Sequence, residues 1–383
     1  MPKQDTPGKG MARLRLSLEA WQRIILKIDP QRARLSRQTH FLYWLNGSVH
    51  SVLAGMQFKS YASALEGSVP PPPIFILGFW RSGTTFLHEL LCCDPQFGFP
   101  STYACLNPSH FLLSERRIGQ RSINQHAQRP MDNMLYSWAS PQEDEFALLA
   151  LGAPSPYEAL LVPSLMRHPQ SLLDLSRSPT EGQVRWSSTL RYFLQLLTVQ
   201  QAKPMVLKSP SHGFRLSSLR TLFPQARYII IERNPYEVFA SNLKLWNTLL
   251  GSYSLEHFSG DDIEEFVLAA YVLHEQAISV GASDLDRRFF ARVRYEDLVA
   301  DPVTQVARLY QELELGRFEG VRASVERHLA GVADYKPNRF ILSPAQKARV
   351  DRTWGKTISA KGYGWPETRL GLSESGPIQR DTA

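Results

Sequence analysis

The distribution of apolar residues along the chain predicts a mixed α/β protein. Four short runs are apolar along nearly their whole length, which is the pattern of strands buried on both faces of a sheet: 74–77, 205–208, 228–231 and 289–293. Segments with helical character separate these strands, near residues 214–223, 235–250 and 262–280. This alternation predicts a parallel sheet flanked by helices, with ligands at the carboxyl ends of its strands.

The two ends of the chain have a different character. Residues 13–67 carry an apolar stripe at helical spacing and predict an N-terminal helical extension. The prolines at 70–73 then stiffen the start of the first strand. We therefore predict an arm with helices at 1–69, a main domain at 70–369 and a polar, flexible tail at 370–383.

The basic amphipathic stretch at 13–37 leaves two interpretations open. It packs on the core or on a second subunit, or it makes a peripheral contact with a membrane surface. No run of about 18 apolar residues predicts a transmembrane helix, and no signal peptide is expected. Oligomeric state is left open.

Composition narrows the class of ligand. The 383 residues include 43 Lys and Arg against 36 Asp and Glu, a net charge of +7. That excess suits an anionic ligand without requiring nucleic acid, and no nucleic-acid partner is expected.

The three cysteines show no metal-binding or disulfide spacing. We expect a reducing, cytoplasmic location and no metal site.

A candidate phosphate-binding loop joins the first strand to a helix. Its glycines, Gly78 and Gly83, have the spacing of a P-loop, whose backbone N–H groups hold phosphate oxygens. A nucleoside triphosphatase has Lys directly after the second glycine, where this chain has Thr84. The cation comes earlier, at Arg81, where it can neutralise a transferred anionic group. The loop residues expected to hold a 5′-phosphate are Ser82, Gly83, Thr84 and Thr85.

A second candidate anion site follows the third strand. Arg233 ends that strand, and Asn234 and Pro235 are typical first residues of a helix. Ser241 comes about two turns into the helix. An arginine with a hydroxyl can hold a second phosphate. The alternative is a capped helix whose arginine forms an ion pair.

Together the two motifs resemble the sulfotransferases that use 3′-phosphoadenosine 5′-phosphosulfate (PAPS), from about residue 74 to residue 365. The segments 140–146 and 206–212 are similar to a bacterial branch of that family. The resemblance implies a P-loop-like fold, PAPS as co-substrate and in-line displacement at sulfur. It also implies that Tyr295 meets the adenine, and that Lys361 and Gly362 contribute to nucleotide binding.

Sulfuryl transfer to an alcohol needs a base, and the sequence offers two candidates. His212 follows the second strand, and histidine titrates near neutral pH, so it is the first candidate. The alternative is a carboxylate from Glu143, Asp144 or Glu145, with Glu143 preferred, although acidic residues also favour the first turn of a helix. Lys208 is expected to reach the sulfuryl oxygens or the leaving phosphate.

The motifs and the resemblance therefore predict sulfuryl transfer from PAPS to a hydroxyl or similar group. Two alternatives are a P-loop nucleotide kinase or NTPase-like protein and a non-catalytic nucleotide-binding module. The acceptor's identity is not encoded in any motif; small molecules, lipids and carbohydrates are all compatible.

Overall fold

A four-stranded parallel sheet forms the centre of the protein. The computed structural model describes residues 14–115, 127–128, 135–332, 340–366 and 370–372. The strands are β1 (Ile74–Leu77), β4 (Val206–Lys208), β5 (Arg227–Glu232) and β6 (Phe290–Arg294), in the order β4-β1-β5-β6. All pairs are parallel. The predicted parallel sheet flanked by helices is confirmed, and each predicted strand lies within a residue of its observed bounds.

Helices cover both faces of this sheet. From the phosphate loop to β6 they are α3 (Thr84–Leu91), α4 (Thr102–Leu106), α5 (Glu145–Ala150), α6 (Pro169–Leu173), α7 (Thr180–Gln201), α8 (Leu216–Leu222), α9 (Pro235–Tyr253) and α10 (Gly260–Gly281). After β6 come α11 (Tyr295–Ala300), α12 (Pro302–Glu312), α13 (Glu319–Gly331) and α14 (Pro344–Ala360). Two short strands, β2 (Ala127–Gln128) and β3 (Leu135–Tyr136), pair in antiparallel fashion away from the main sheet.

Alternate residues of β1 supply two separate apolar layers. Phe75 and Leu77 pack with α7 and α8, while Ile74 and Ile76 pack with α3 and α12. All four side chains are at most 2% exposed. A strand buried on both faces cannot leave polar side chains in its interior, which explains the unbroken apolar run.

The predicted N-terminal extension consists of two helices, α1 (Leu18–Ile25) and α2 (Arg37–Glu66). Ser17 and Ser36 cap them by accepting backbone N–H bonds. The helices approach closely at Gly47, where a Cβ would lie 2.9 Å from the Cα of Leu18. Residues 1–13 lie outside the described residues.

The C-terminal part of the chain returns to the main body through α14. Strand β7 (Phe340–Leu342) pairs in parallel with β8 (Leu370–Leu372). The flexible tail predicted from residue 370 is therefore wrong for residues 370–372, because Leu370 is apolar and buried at 3% exposure. Residues 373–383 lie outside the described part of the chain. Among the helices of that described part, none is both long and apolar enough to cross a bilayer.

Candidate functional site

The phosphate loop turns sharply between β1 and α3. Gly83 has φ +98° and Arg81 has φ +70°, so both lie in the left-handed region. A Cβ at Gly83 would collide with the ring of Tyr295, which packs directly against the loop backbone. Glycine is therefore required here both for its conformation and for its missing side chain.

The loop has the properties of an anion cradle. The N-terminus of α3 carries no side-chain cap, which leaves its first N–H groups available to an anion. The buried Oγ of Ser82 has no hydrogen-bond partner within the described residues. Thr84 and Thr85 form the first turn of the same helix. An unpaired buried hydroxyl beside uncapped N–H groups is compatible with a bound phosphate.

The two predicted anion sites touch each other. The Nε of Arg81, in the loop, donates to the Oγ of Ser241 in α9 at 2.9 Å. The Nη1 of Arg233 donates to the backbone oxygen of Arg81 at 3.2 Å. Two motifs about 150 residues apart in sequence therefore share one surface, since parallel strands bring their carboxyl ends to the same edge.

Arg233 also lies over the ring of Tyr295, with its guanidinium carbon 4.3 Å from the ring centre. It forms an ion pair with Glu237 one turn into α9. Asn234 caps the helix by accepting the N–H of Tyr236 at 3.1 Å. This segment therefore forms a capped helix whose arginine makes an ion pair, and the same arginine also contacts the phosphate loop.

Glu143 belongs to a network that reaches the phosphate loop. Its Oε1 accepts from the Nζ of Lys208 at 2.8 Å, and the same Nζ lies 3.4 Å from the Oγ1 of Thr85. Its Oε2 accepts from the hydroxyl of Tyr157, whose own oxygen accepts from the Nε1 of Trp80 at 3.2 Å. Burial, together with the nearby Glu143 carboxylate, raises the pKa of Tyr157, so its hydroxyl keeps its proton.

His212 lies in a different environment. Its ring is fully buried, and Nε2 lies 2.7 Å from the Oδ2 of Asp144, which is also fully buried. The edge of the ring meets Phe75 of β1, with centroids 5.2 Å apart. The contacts of His212 therefore go to a buried carboxyl group and to an apolar ring of the sheet, whereas those of Glu143 lead to the phosphate loop.

The three consecutive acidic residues 143–145 each meet a different basic residue of the segment 208–215. Glu143 pairs with Lys208, Asp144 with His212, and Glu145 with Arg215 at 3.1 Å. We call these contacts the carboxylate triplet. Glu143 precedes the helix, Asp144 is its N-cap and Glu145 is its first residue, so the three side chains leave different positions of the chain and reach three partners. The triplet fixes the start of α5 relative to β4 and so places Glu143 beside the loop.

Lys361 and Gly362, which the sequence predicted to contribute to nucleotide binding, lie near the end of β5. Lys361 forms ion pairs with Glu232, at the end of β5, and with Glu275. Burial alone would raise the pKa of Glu275, but the hydrogen bond from His274 and the charge of Lys361 lower it to about 2. Gly362 has φ +67°. These residues adjoin the strand end that carries the second motif.

Sequence reasoning gave too little weight to two residues of this region. Tyr157 belongs to no motif of the sequence, yet its hydroxyl donates to Glu143. Asn242 was not considered, although its Nδ2 donates to the backbone oxygen of Trp80 at 2.8 Å and so ties α9 to the loop. A polar residue directly after Ser241 in a largely apolar helix was the available signal.

Within the described residues, no group of His, Cys, Asp and Glu side chains is arranged to hold a metal.

Comparisons with known proteins agree with this geometry. A sequence model described as the sulfotransferase family matches residues 72–319. The chain is 37% identical over 351 residues to proteins named omega-hydroxy-beta-dihydromenaquinone-9 sulfotransferase Stf3 from Mycobacterium bovis and Mycobacterium tuberculosis, covering 91% of this chain and 90% of theirs.

Two solved structures share the fold. Sulfotransferase STF9 from Mycobacterium avium has a TM-score of 0.71 at 17% identity, covering 90% of this chain and 92% of that one. Sulfotransferase STF1 from Mycobacterium tuberculosis has a TM-score of 0.63 at 21% identity, covering 88% and 93%. A phosphate loop without the nucleoside triphosphatase lysine, a second arginine site beside it, and this family match lead to one conclusion: the chain belongs to the sulfotransferase family and is an enzyme that transfers sulfuryl groups.

Proposed function

We propose that this enzyme transfers the sulfuryl group of PAPS to the hydroxyl of a lipid-like acceptor, with Glu143 as the general base. The observation that carries the proposal is the contact between the two anion sites, in which Arg81 bonds to Ser241 and to Arg233. Two phosphate sites on one surface suit a nucleotide phosphorylated at both 3′ and 5′ positions. PAPS is such a nucleotide, and when bound it supplies the sulfuryl group.

The chain's residues divide this binding task. The loop N–H groups, the Ser82 hydroxyl and Thr84 are proposed to hold the 5′-phosphate end. Arg233 and Ser241 are proposed to hold the 3′-phosphate, with the ring of Tyr295 beneath the guanidinium available to the adenosine. Arg81 lies between them and is placed to neutralise charge that develops on the leaving phosphate.

Glu143 is better placed than His212 to accept the acceptor's proton. Its side chain keeps 16% exposure and lies beside Lys208, which reaches toward the loop through Thr85. His212 is fully buried and already bonded to Asp144. A base must come within hydrogen-bond reach of the acceptor hydroxyl, a condition that supports Glu143 and reverses the order of the two candidates given by the sequence.

The acceptor class is inferred from relatives. The proteins named for sulfuryl transfer to a hydroxylated menaquinone derivative share 37% of aligned residues with this chain along nearly its full length. We infer a hydroxylated lipid for this enzyme too. A transfer assay from labelled PAPS against hydroxylated prenyl quinones, simple phenols and sugars tests this, and preference for a sugar would contradict the acceptor class.

Nucleotide binding tests the donor. Arg81→Ala and Arg233→Ala should each weaken affinity for adenosine 3′,5′-bisphosphate about 10- to 100-fold, because each removes a charge-assisted bond of about 1.5 to 3 kcal/mol. Arg220→Ala is a matched control. Arg220 lies on α8 and is bonded to Asp284, away from the two anion sites. Unchanged affinity in both site variants, or tighter binding of ATP with Mg²⁺ than of the bisphosphate, would contradict the donor assignment.

A further inference from the structure

Helix α2 presents apolar side chains to solvent along one face. Its exposed apolar residues range from 44% exposed at Leu42 and Leu45 to 65% at Val52. Five of them recur at spacings of four, four, three and four residues, which places them on one stripe of the helix: Phe41, Leu45, Val49, Val52 and Met56. We call this stripe the α2 apolar face.

The orientation of the helix is fixed by its opposite side. Gln57 is fully buried, and its amide donates to the oxygen of Pro108 at 2.9 Å while its carbonyl oxygen accepts the N–H of Leu112 at 3.0 Å. The hydroxyl of Tyr61 donates to the oxygen of Leu112 at 3.0 Å. Polar groups therefore anchor α2 inward while apolar groups face outward, the reverse of an ordinary surface helix.

Rotation of the helix would not hide this face. Tyr43 stacks on Trp21 of α1 with centroids 4.3 Å apart and an angle of 7° between the rings. Gly47 permits the close approach to α1, since any side chain there would meet the backbone of Leu18. Turning the apolar stripe inward would break these contacts and leave the buried Gln57 amide unsatisfied. The apolar face is thus built into the fold.

We propose that the α2 apolar face docks the enzyme on the surface of an anionic lipid bilayer. Helix α2 contains two basic side chains and one acidic side chain, Glu66, which is its last residue, and the exposed Arg34 precedes the helix. Arg37 begins the helix and Lys59 lies at the far end of the stripe, both exposed. Basic residues beside an apolar stripe are characteristic of helices that lie in the membrane interface. Exposed Trp44 adds a side chain that favours this depth.

Charge favours a bilayer over a second copy of the chain. Two copies packed antiparallel through this face would bring Arg37 of one near Lys59 of the other, while Glu66, the acidic residue of this helix, lies ten residues past Met56 and beyond the end of the stripe. An anionic lipid surface instead pairs with both ends of the stripe. The helix is about 45 Å long at 1.5 Å per residue, so it lies along the surface.

This inference goes beyond the proposed function but complements it. An enzyme acting on a lipid-embedded hydroxyl gains from being held at the bilayer, because both reactants are then confined to one surface. Docking itself needs neither PAPS nor acceptor, so it is measured independently of the reaction.

The test is sedimentation of the full chain with vesicles of phosphatidylglycerol and phosphatidylcholine, without nucleotide. Leu45→Glu combined with Val52→Glu should weaken the apparent affinity of the protein for the vesicles tenfold or more, because two charges would enter the acyl boundary. Val184→Glu combined with Val280→Glu is the matched control, since these valines are 60% and 69% exposed on other helices. The control should bind as the unchanged protein does.

Three results would overturn the proposal. The first is failure of the unchanged protein to bind the vesicles. The second is binding of the Leu45/Val52 variant as tight as that of the control. The third is a dimer, seen by light scattering, that only the Leu45/Val52 variant disrupts, which would assign the face to a second copy. Sulfuryl transfer to a detergent-solubilised acceptor should stay unchanged in both variants. Its absence in the unchanged protein would count against the proposed function and leave the docking result intact.

Discussion

The roles assigned to Glu143 and His212 lead to opposite responses when each is replaced. His212→Ala removes the partner of Asp144, and both side chains are fully buried. Leaving one member of a buried pair uncompensated costs about 3 to 5 kcal/mol. That is a large part of a typical unfolding free energy of about 5 to 15 kcal/mol. We therefore expect His212→Ala to lower the melting temperature by on the order of 10 °C.

Turnover should separate the two residues. At a temperature where His212→Ala is still folded, its kcat should stay within a few-fold of the unchanged enzyme, because the imidazole is fully buried and bonded to Asp144. Glu143→Gln should lower kcat by about 10²- to 10⁴-fold, the contribution of a positioned base, with bisphosphate affinity retained. Thermal melts and single-turnover sulfuryl transfer at saturating PAPS measure the two effects on the same preparations.

A double variant checks the physical cause of the stability loss. Replacing both His212 and Asp144 by leucine removes the unpaired buried carboxyl group and fills the space, so it should recover much of the lost melting temperature. The reasoning is refuted if folded His212→Ala loses turnover 100-fold while Glu143→Gln remains active. In that case the histidine is the base despite its burial.

Three further predictions follow from other parts of the site. Gly83→Ala should abolish bisphosphate binding and destabilise the fold, because position 83 has a positive φ and a Cβ there would meet the ring of Tyr295. Gly251→Ala, in open space on α9, is the control and should leave melting temperature and bisphosphate affinity nearly unchanged. Tyr157→Phe should lower kcat about tenfold with unchanged nucleotide affinity, since one bond that positions the base is lost; a tenfold rise in the bisphosphate Kd instead would contradict this. With a pKa of about 2 against an ordinary 4.5, Glu275 adds on the order of 2 to 3 kcal/mol above about pH 4.5, lost as pH falls toward 2. Denaturant titrations should show Glu275→Gln less stable at pH 6 and equal near pH 2; a constant difference would exclude this role for the Lys361 pair.

The sheet and the two anion motifs could be predicted because local sequence determines them. The run Ile74–Leu77 is apolar on both faces, and the glycine spacing of the loop follows from its backbone conformation. Parallel strands then align their carboxyl ends, which is why Arg81 and Arg233 meet. Each of these inferences needs only neighbouring residues and one topological rule.

The order of the two candidate bases that we propose could not be predicted in this way, because it depends on burial. His212 and Glu143 both come from segments near the carboxyl edge of the sheet, and both residue types suit proton transfer. Only packing against Phe75 and the bond to Asp144 distinguish the histidine as a core group. The outward apolar stripe of α2 was likewise undetectable, since the same periodicity predicts a face turned toward the core.

The carboxylate triplet has a consequence for engineering the acceptor range. Residues 143–145 and 208–215 are joined by three separate contacts, so a one-residue insertion in either segment would mismatch all three pairs at once. Grafting one segment from a relative without the other would strand buried charges before any new specificity appeared. Chimeras should therefore exchange the two segments as a single cassette and leave variation to the loops around them.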